Sequence, residues 1–211
     1  MKSNYALPAR VLRAGWLRVL MVLCIALAAV IHHGQARAVS LFTNQTPANP
    51  NGTDGVPYEV GMRFQVTTAG QVTAIRYWKA ASDTGTHVGR IWSSTGTLLG
   101  SVTFTGETGS GWQQQALATP LTLTANTVYT VSVNVGSYFP VTSNGLSTQI
   151  INGDIRSATG ANGVYGNSGT FPTLTFQASN YFRDVVFVSR GWSGVFVVRD
   201  AGENDAGFGI P

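Results

Sequence analysis

The chain has 211 residues, a single cysteine, 10% charged residues and a formal net charge of +4. The positive surplus lies at the start: removing Lys2, Arg10, Arg13, Arg18 and Arg37 from the 13 Lys plus Arg leaves 8 against 9 Asp plus Glu. No basic patch then remains to hold a nucleic acid, and Cys24 alone can make neither an internal disulfide nor a thiolate metal site.

The first predicted element is a targeting segment. Basic residues without an acid precede the apolar run 19–31, "VLMVLCIALAAVI", and Ala36 and Ala38 stand at the small-residue positions of a cleavage site. This pattern predicts a signal peptide over 1–38. The run is shorter than the roughly 20 residues of a membrane span. Leu23, where a lipoprotein signal needs a small residue, argues against a lipid anchor. The expected product is secreted or periplasmic, has no transmembrane span, and must be stabilised by its core without disulfides.

Residues 39–190 read as one all-β domain. Runs rich in Val, Ile, Thr and aromatic residues, separated by Gly, Asn, Asp and Pro, predict strands at 58–66, 71–79, 87–93, 98–105, 113–117, 128–135 and 182–188. The stretch 128–135, "VYTVSVNV", alternates as a strand buried on one face does. "SSTGT" at 93–97 reads as a hairpin turn, with Gly96 taking a positive φ. No stretch has helical periodicity and no repeat is long enough for a propeller or solenoid. The fold class predicted is therefore a single antiparallel β-sandwich of jelly-roll type. Segment 44–57 reads as a surface loop. Segment 143–177, rich in Asn-Gly, is a long loop of the kind that carries function, with room for a short hairpin near 147–151. In 191–211 a further strand is expected at 195–198, followed by a Gly-rich acidic tail.

Several stretches together carry a family resemblance: "YEVGMRF", "VTAIRYWKA", "TGTHVGRIWSSTGTLLGSVTFTGETGSGWQQ", "ANTVYTVSV", "GANGVYG" and "SNYFRDVVFV". In this order they resemble domain of unknown function 4082, a module of secreted bacterial proteins, over about 41–188. The resemblance implies a secreted, non-catalytic β-sandwich of a kind often found beside carbohydrate-active or adhesin-like domains. It supplies no catalytic residues.

The candidate ligand residues are Trp78, His87, Trp92, Glu107, Trp112, Tyr165 and Phe171. Trp92 and Trp112, at strand ends, fit either core capping or a platform for a sugar ring. Trp78 neighbours Tyr77 in a strand, so one of the two must face away from the packed side. It is the aromatic most expected to be exposed. Tyr165 and Phe171 lie in the long loop. His87, without a second His or Cys, builds no zinc site. Glu107 has no identifiable partner for paired-carboxylate catalysis, and neither a G-x-S-x-G elbow nor a P-loop is present. No cofactor is called for. A structural calcium is the metal that the residues suggest, from Asp54, Glu59 and Asp184, if the first and last strands are neighbours. The expected function is that of an exported non-catalytic module holding a glycan or cell-surface polymer. The alternative is a structural or adhesive protein packing through a patch near Trp192 and 195–198. A glycoside hydrolase ranks last.

Overall fold

The computed structural model describes residues 37–160 and 162–189. Thirteen strands follow one another with no helix among the described residues: β1 (Ala38–Val39), β2 (Asn49–Thr53), β3 (Tyr58–Val66), β4 (Gly70–Lys79), β5 (Val88–Ser93), β6 (Leu98–Thr103), β7 (Gly111–Leu123), β8 (Val128–Val135), β9 (Tyr138–Val141), β10 (Ile151–Asn152), β11 (Ile155–Ser157), β12 (Gly163–Asn167) and β13 (Arg183–Ser189).

All pairings are antiparallel. One sheet has the order β1-β13-β4-β7; the other runs β10-β11-β3-β8-β5-β6, with β12 also on β3; β2 and β9 form a separate ribbon. The alternation read in the sequence decides which side chains enter the main core, but β8, expected to be buried on one face, is buried on both, because Thr130 and Ser132 of its outer face are covered as well. Met62, Phe64 and Val66 of β3, Ile91 of β5 and Val131 and Val133 of β8 form one core with Ile75 and Tyr77 of β4, Leu123 of β7 and Val185 and Phe187 of β13. The two sheets thus share one apolar layer, as in a sandwich. Each such side chain, fully buried, contributes about 2 kcal/mol of transfer free energy.

Strands β3 and β8 have the predicted limits, and the β5–β6 hairpin turns at Gly96 with φ 90°. Three regions differ from expectation. β7 runs on through Pro120 to Leu123, because it is the last strand of its sheet and a proline there forfeits no ladder bond that a neighbour needs. Segment 44–57 is not all loop, since β2 pairs with β9. Segment 143–177 is largely ordered against β3: β11 continues that edge at 64–66 and β12 at 58–62. The expected signal peptide, the strand at 195–198 and the tail lie outside the described residues.

Candidate functional site

A second, smaller apolar cluster lies away from the main core. Val60 of β3, Val135 of β8 and Tyr181 are buried, with Tyr58, Phe139, Val141 and Tyr165 packed against them. These residues come together because β9 is carried onto the end of β3 by the β2–β9 ribbon, while β12 flanks β3 on the other side and sets Tyr165 opposite Val60. The cluster does not close. It surrounds a cavity of about 350 Å³ lined by Tyr58, Phe139, Tyr165, Phe176 and Tyr181, with Asp54, Ser143 and Ser179 as the polar groups. That volume is at the small end of the range for small-molecule sites.

The rings stand at steep angles to one another. Tyr58 meets Tyr165 at 86° and Phe139 at 76°, and Phe139 meets Tyr181 at 74°, with centroids 5.7 to 6.1 Å apart. The Tyr58 hydroxyl donates to Asp54 Oδ2 at 2.9 Å. That bond, with a smaller contribution from burial, raises the Tyr58 pKa. Burial pushes the Tyr181 phenol up to about 12, so both tyrosines stay neutral at physiological pH. Ser179, fully buried, has a hydroxyl without a hydrogen bond of good geometry.

One wall is a strap, 174–181. Leu174 exchanges two backbone bonds with Tyr165, and Ser179 N–H donates to Phe176 O across a tight turn. The central residues of that turn, Gln177 and Ala178, have φ 49° and 44°. Two positive φ values mark the turn type that normally takes Asn-Gly. A side chain in this left-handed region costs about 1 kcal/mol per residue, and strain of this kind concentrates at functional sites. The turn leaves Phe176 55% exposed at the rim while Ser179 is buried. Below it, Gly163 is required by close approach: a Cβ there would stand 1.8 Å from Ser179 O.

Four of the other ligand candidates are brought into two polar clusters. In the first, His87 is held between two carboxylates, Nε2 3.1 Å from Asp83 Oδ2 and Nδ1 2.9 Å from Glu107 Oε2. Tyr77 donates to Glu107 Oε1 at 2.5 Å, and Gly136 N–H donates to Asp83 Oδ1. Burial pushes the His87 pKa down, but hydrogen bonds to Asp83 and Glu107 outweigh it and the net shift is upward. Burial, then the bond to Glu107, drives the Tyr77 phenol far above its ordinary value. Arg183 lies over the Tyr77 ring at 5.5 Å and donates through Nη1 to Tyr181 O. Burial lowers its pKa to about 10, so it stays charged, yet its Nε and Nη2 have no partner.

The second cluster lies on the outer face of the larger sheet. Glu59 receives Arg90 Nη1 at 2.9 Å, Ser132 Oγ at 2.6 Å and Gly169 N–H at 2.9 Å. Trp92 Nε1 donates to Ser132 Oγ, and Phe171 covers the indole at 5.8 Å. Phe171 also sits on Gly96, where a Cβ would come within 2.8 Å of its ring.

Of the seven ligand candidates, only Tyr165 lines the aromatic cavity. His87 and Glu107 belong to one buried cluster, and Trp92 and Phe171 pack on each other. Trp78, expected to be exposed, is half-buried with its ring edge-on to Trp112 and Phe182, and Arg76 lies over Trp112 at 4.7 Å. The three calcium candidates are not brought together. Asp54 holds Tyr58, and Glu59 holds Arg90. Asp184 accepts the backbone N–H groups of Leu41, Phe42 and Val185 and pairs with Arg76 at 3.3 Å. The neighbouring strands of β3 and β13 explain this: they lie in different sheets, so Glu59 and Asp184 serve different faces. Among the described residues no group of three or more His, Cys, Asp or Glu is placed to hold a metal. No helix among them is long and apolar enough to cross a membrane.

Antiparallel sheets around one core, with an aromatic cavity at the end of β3, define the class as a small all-β module. A family model described as Domain of unknown function (DUF4082) matches residues 44–183, and the chain belongs to that family. No curated protein matches it.

Proposed function

We propose that this protein is an exported, non-catalytic binding module that holds part of a glycan or cell-surface polymer in the aromatic cavity. The observation that carries the reading is the cavity of about 350 Å³ with five aromatic residues in its lining. Large rings left partly open to solvent in a concave site are suited to binding by contact area, without chemistry. The non-catalytic reading is supported by Glu107, which shares a buried imidazole with Asp83 rather than facing a second carboxylate across a cleft. The strand orders β1-β13-β4-β7 and β3-β8-β5-β6 support reading the fold as a jelly roll. The 19–31 apolar run and the Ala-x-Ala site support export.

The test is a glycan-array screen with calcium and with chelator. Saturable binding to one polymer class, lost in Tyr165→Ala and kept in Trp92→Phe, is the expected result. Loss in chelator alone would assign the site to a cation instead. No binding by a folded sample to any polymer would end the reading.

A further inference from the structure

The composition and geometry of the cavity discriminate between ligand chemistries. A platform for neutral sugars presents a flat aromatic face and a ring of polar groups that satisfy several hydroxyls. Here three contacting pairs among four of the rings, Tyr58–Tyr165, Tyr58–Phe139 and Phe139–Tyr181, stand edge to face at 74° to 86°, so the lining is not a flat platform. Among the described residues the polar side chains besides the phenols are Asp54, Ser143 and Ser179. Among the described residues no Lys, Arg or His lines the cavity, so its only formal charge is the Asp54 carboxylate.

Electron-rich ring faces around an anion are complementary to a cation that needs few hydrogen bonds. Tetraalkylammonium groups meet that description, because their charge is spread over methyl groups that pack against rings. A phosphate or carboxylate is opposed by Asp54 and finds no cationic partner in the lining. A polyhydroxylated ring would have three phenols, two serines and one carboxylate as side-chain partners, and no cationic donor. We infer that the cavity binds an alkylammonium group of the choline type, held by cation–π contacts with Tyr58, Phe139, Tyr165, Phe176 and Tyr181 and by the charge of Asp54. This inference rests on the binding-module reading for the place of the site, and goes beyond it in ligand class.

The Asp54–Tyr58 bond has a part in this. By accepting the phenol hydrogen at 2.9 Å, Asp54 fixes the orientation of the Tyr58 ring and adds electron density to it. The carboxylate therefore acts both directly on the cation and through the ring. The strained turn at Gln177 and Ala178 sets Phe176 at the rim, where it can cover a bound methyl group.

The experiment is calorimetric titration of the protein with choline and, separately, with 3,3-dimethylbutan-1-ol, the neutral isostere in which carbon replaces the ammonium nitrogen. Choline is expected to bind at least about tenfold more tightly than the alcohol, since size and shape are equal and only the cation–π and charge terms differ. Asp54→Asn should weaken choline several-fold and leave the alcohol unchanged. Phe176→Ala, at an exposed position that does not threaten folding, should weaken choline by a similar factor. Equal affinity for choline and the alcohol, or no choline binding, overturns the inference. Neutral-polymer binding in the array with no choline binding would overturn it and leave the binding-module reading intact; binding of neither would remove both. Comparing free choline with a choline-substituted polymer distinguishes a solute from a polymer substituent as the source of the group.

Discussion

The start of β3 and the end of β4 hold contrasting arrangements of polar and aromatic side chains. Around His87, both ring nitrogens, the facing oxygens of Asp83 and Glu107 and the Tyr77 hydroxyl are mutually paired; His87, Asp83 and Tyr77 are buried and Glu107 is partly exposed. Around Tyr58, rings of similar size stand partly open, the Ser179 hydroxyl has no hydrogen bond of good geometry, and the backbone is strained at the rim. Arg183 touches both regions, through the Tyr77 ring and the Tyr181 carbonyl. The contrast separates two uses of the same residue types. Completed pairing in a buried cluster supports the fold, whereas open rings and unspent polar groups are what a ligand can meet.

The sharpest way to break this contrast is to close the second region. Gly163→Ala drives a Cβ into Ser179 O, so it should cost about 3 kcal/mol and disorganise the strap. Urea unfolding monitored by tryptophan fluorescence would show it; a loss under 1 kcal/mol would mean the strap yields and does not define the cavity. In the second polar cluster, Glu59→Ala should be of similar size, about 3 kcal/mol, because it strands the Arg90 guanidinium and the Ser132 hydroxyl. The same measurement checks it, and a neutral result would show that the outer-face network is dispensable.

A smaller effect should come from pH. The His87 pKa is raised in the folded protein, so its contribution to stability is complete below about pH 6.5, the unfolded value, and is lost as pH rises through the folded value. Stability should therefore fall on going from about pH 6 to pH 9, and His87→Gln should flatten that slope. A slope unchanged in the variant would place the titration elsewhere. The smallest effect is a gain. Ala178→Gly relieves a positive φ and should stabilise by about 1 kcal/mol, read as a rise in Tm. A fall would show that the Ala178 methyl group is needed in the strap.

What could be read from the sequence follows from how local each signal is. The alternation of β3 and β8 is set by nearest neighbours, so their limits were legible. β2, "NPNGT", has the composition of a turn, and only its partner Tyr138–Val141, far away in the chain, makes it a strand. The cavity was visible in one residue, Tyr165, because it lies in a long loop. Tyr58, Phe139, Phe176 and Tyr181 come from separate segments, and no spacing joins them. Asp83 and His87 are four apart and could have suggested a pair, but Glu107 completes the cluster from another loop. Trp78 is only half-exposed because Phe42, Trp112 and Phe182, which the alternation argument does not see, cover the outer face of its sheet.

The most direct measurement compares the protein with Phe176→Ala in a titration against cell-surface polymers, with Tm recorded for both. If the aromatic cavity is the ligand site, binding should drop sharply while Tm stays within a degree or two, since Phe176 is largely exposed. Undiminished binding in the variant would contradict that assignment and move the ligand elsewhere on the module.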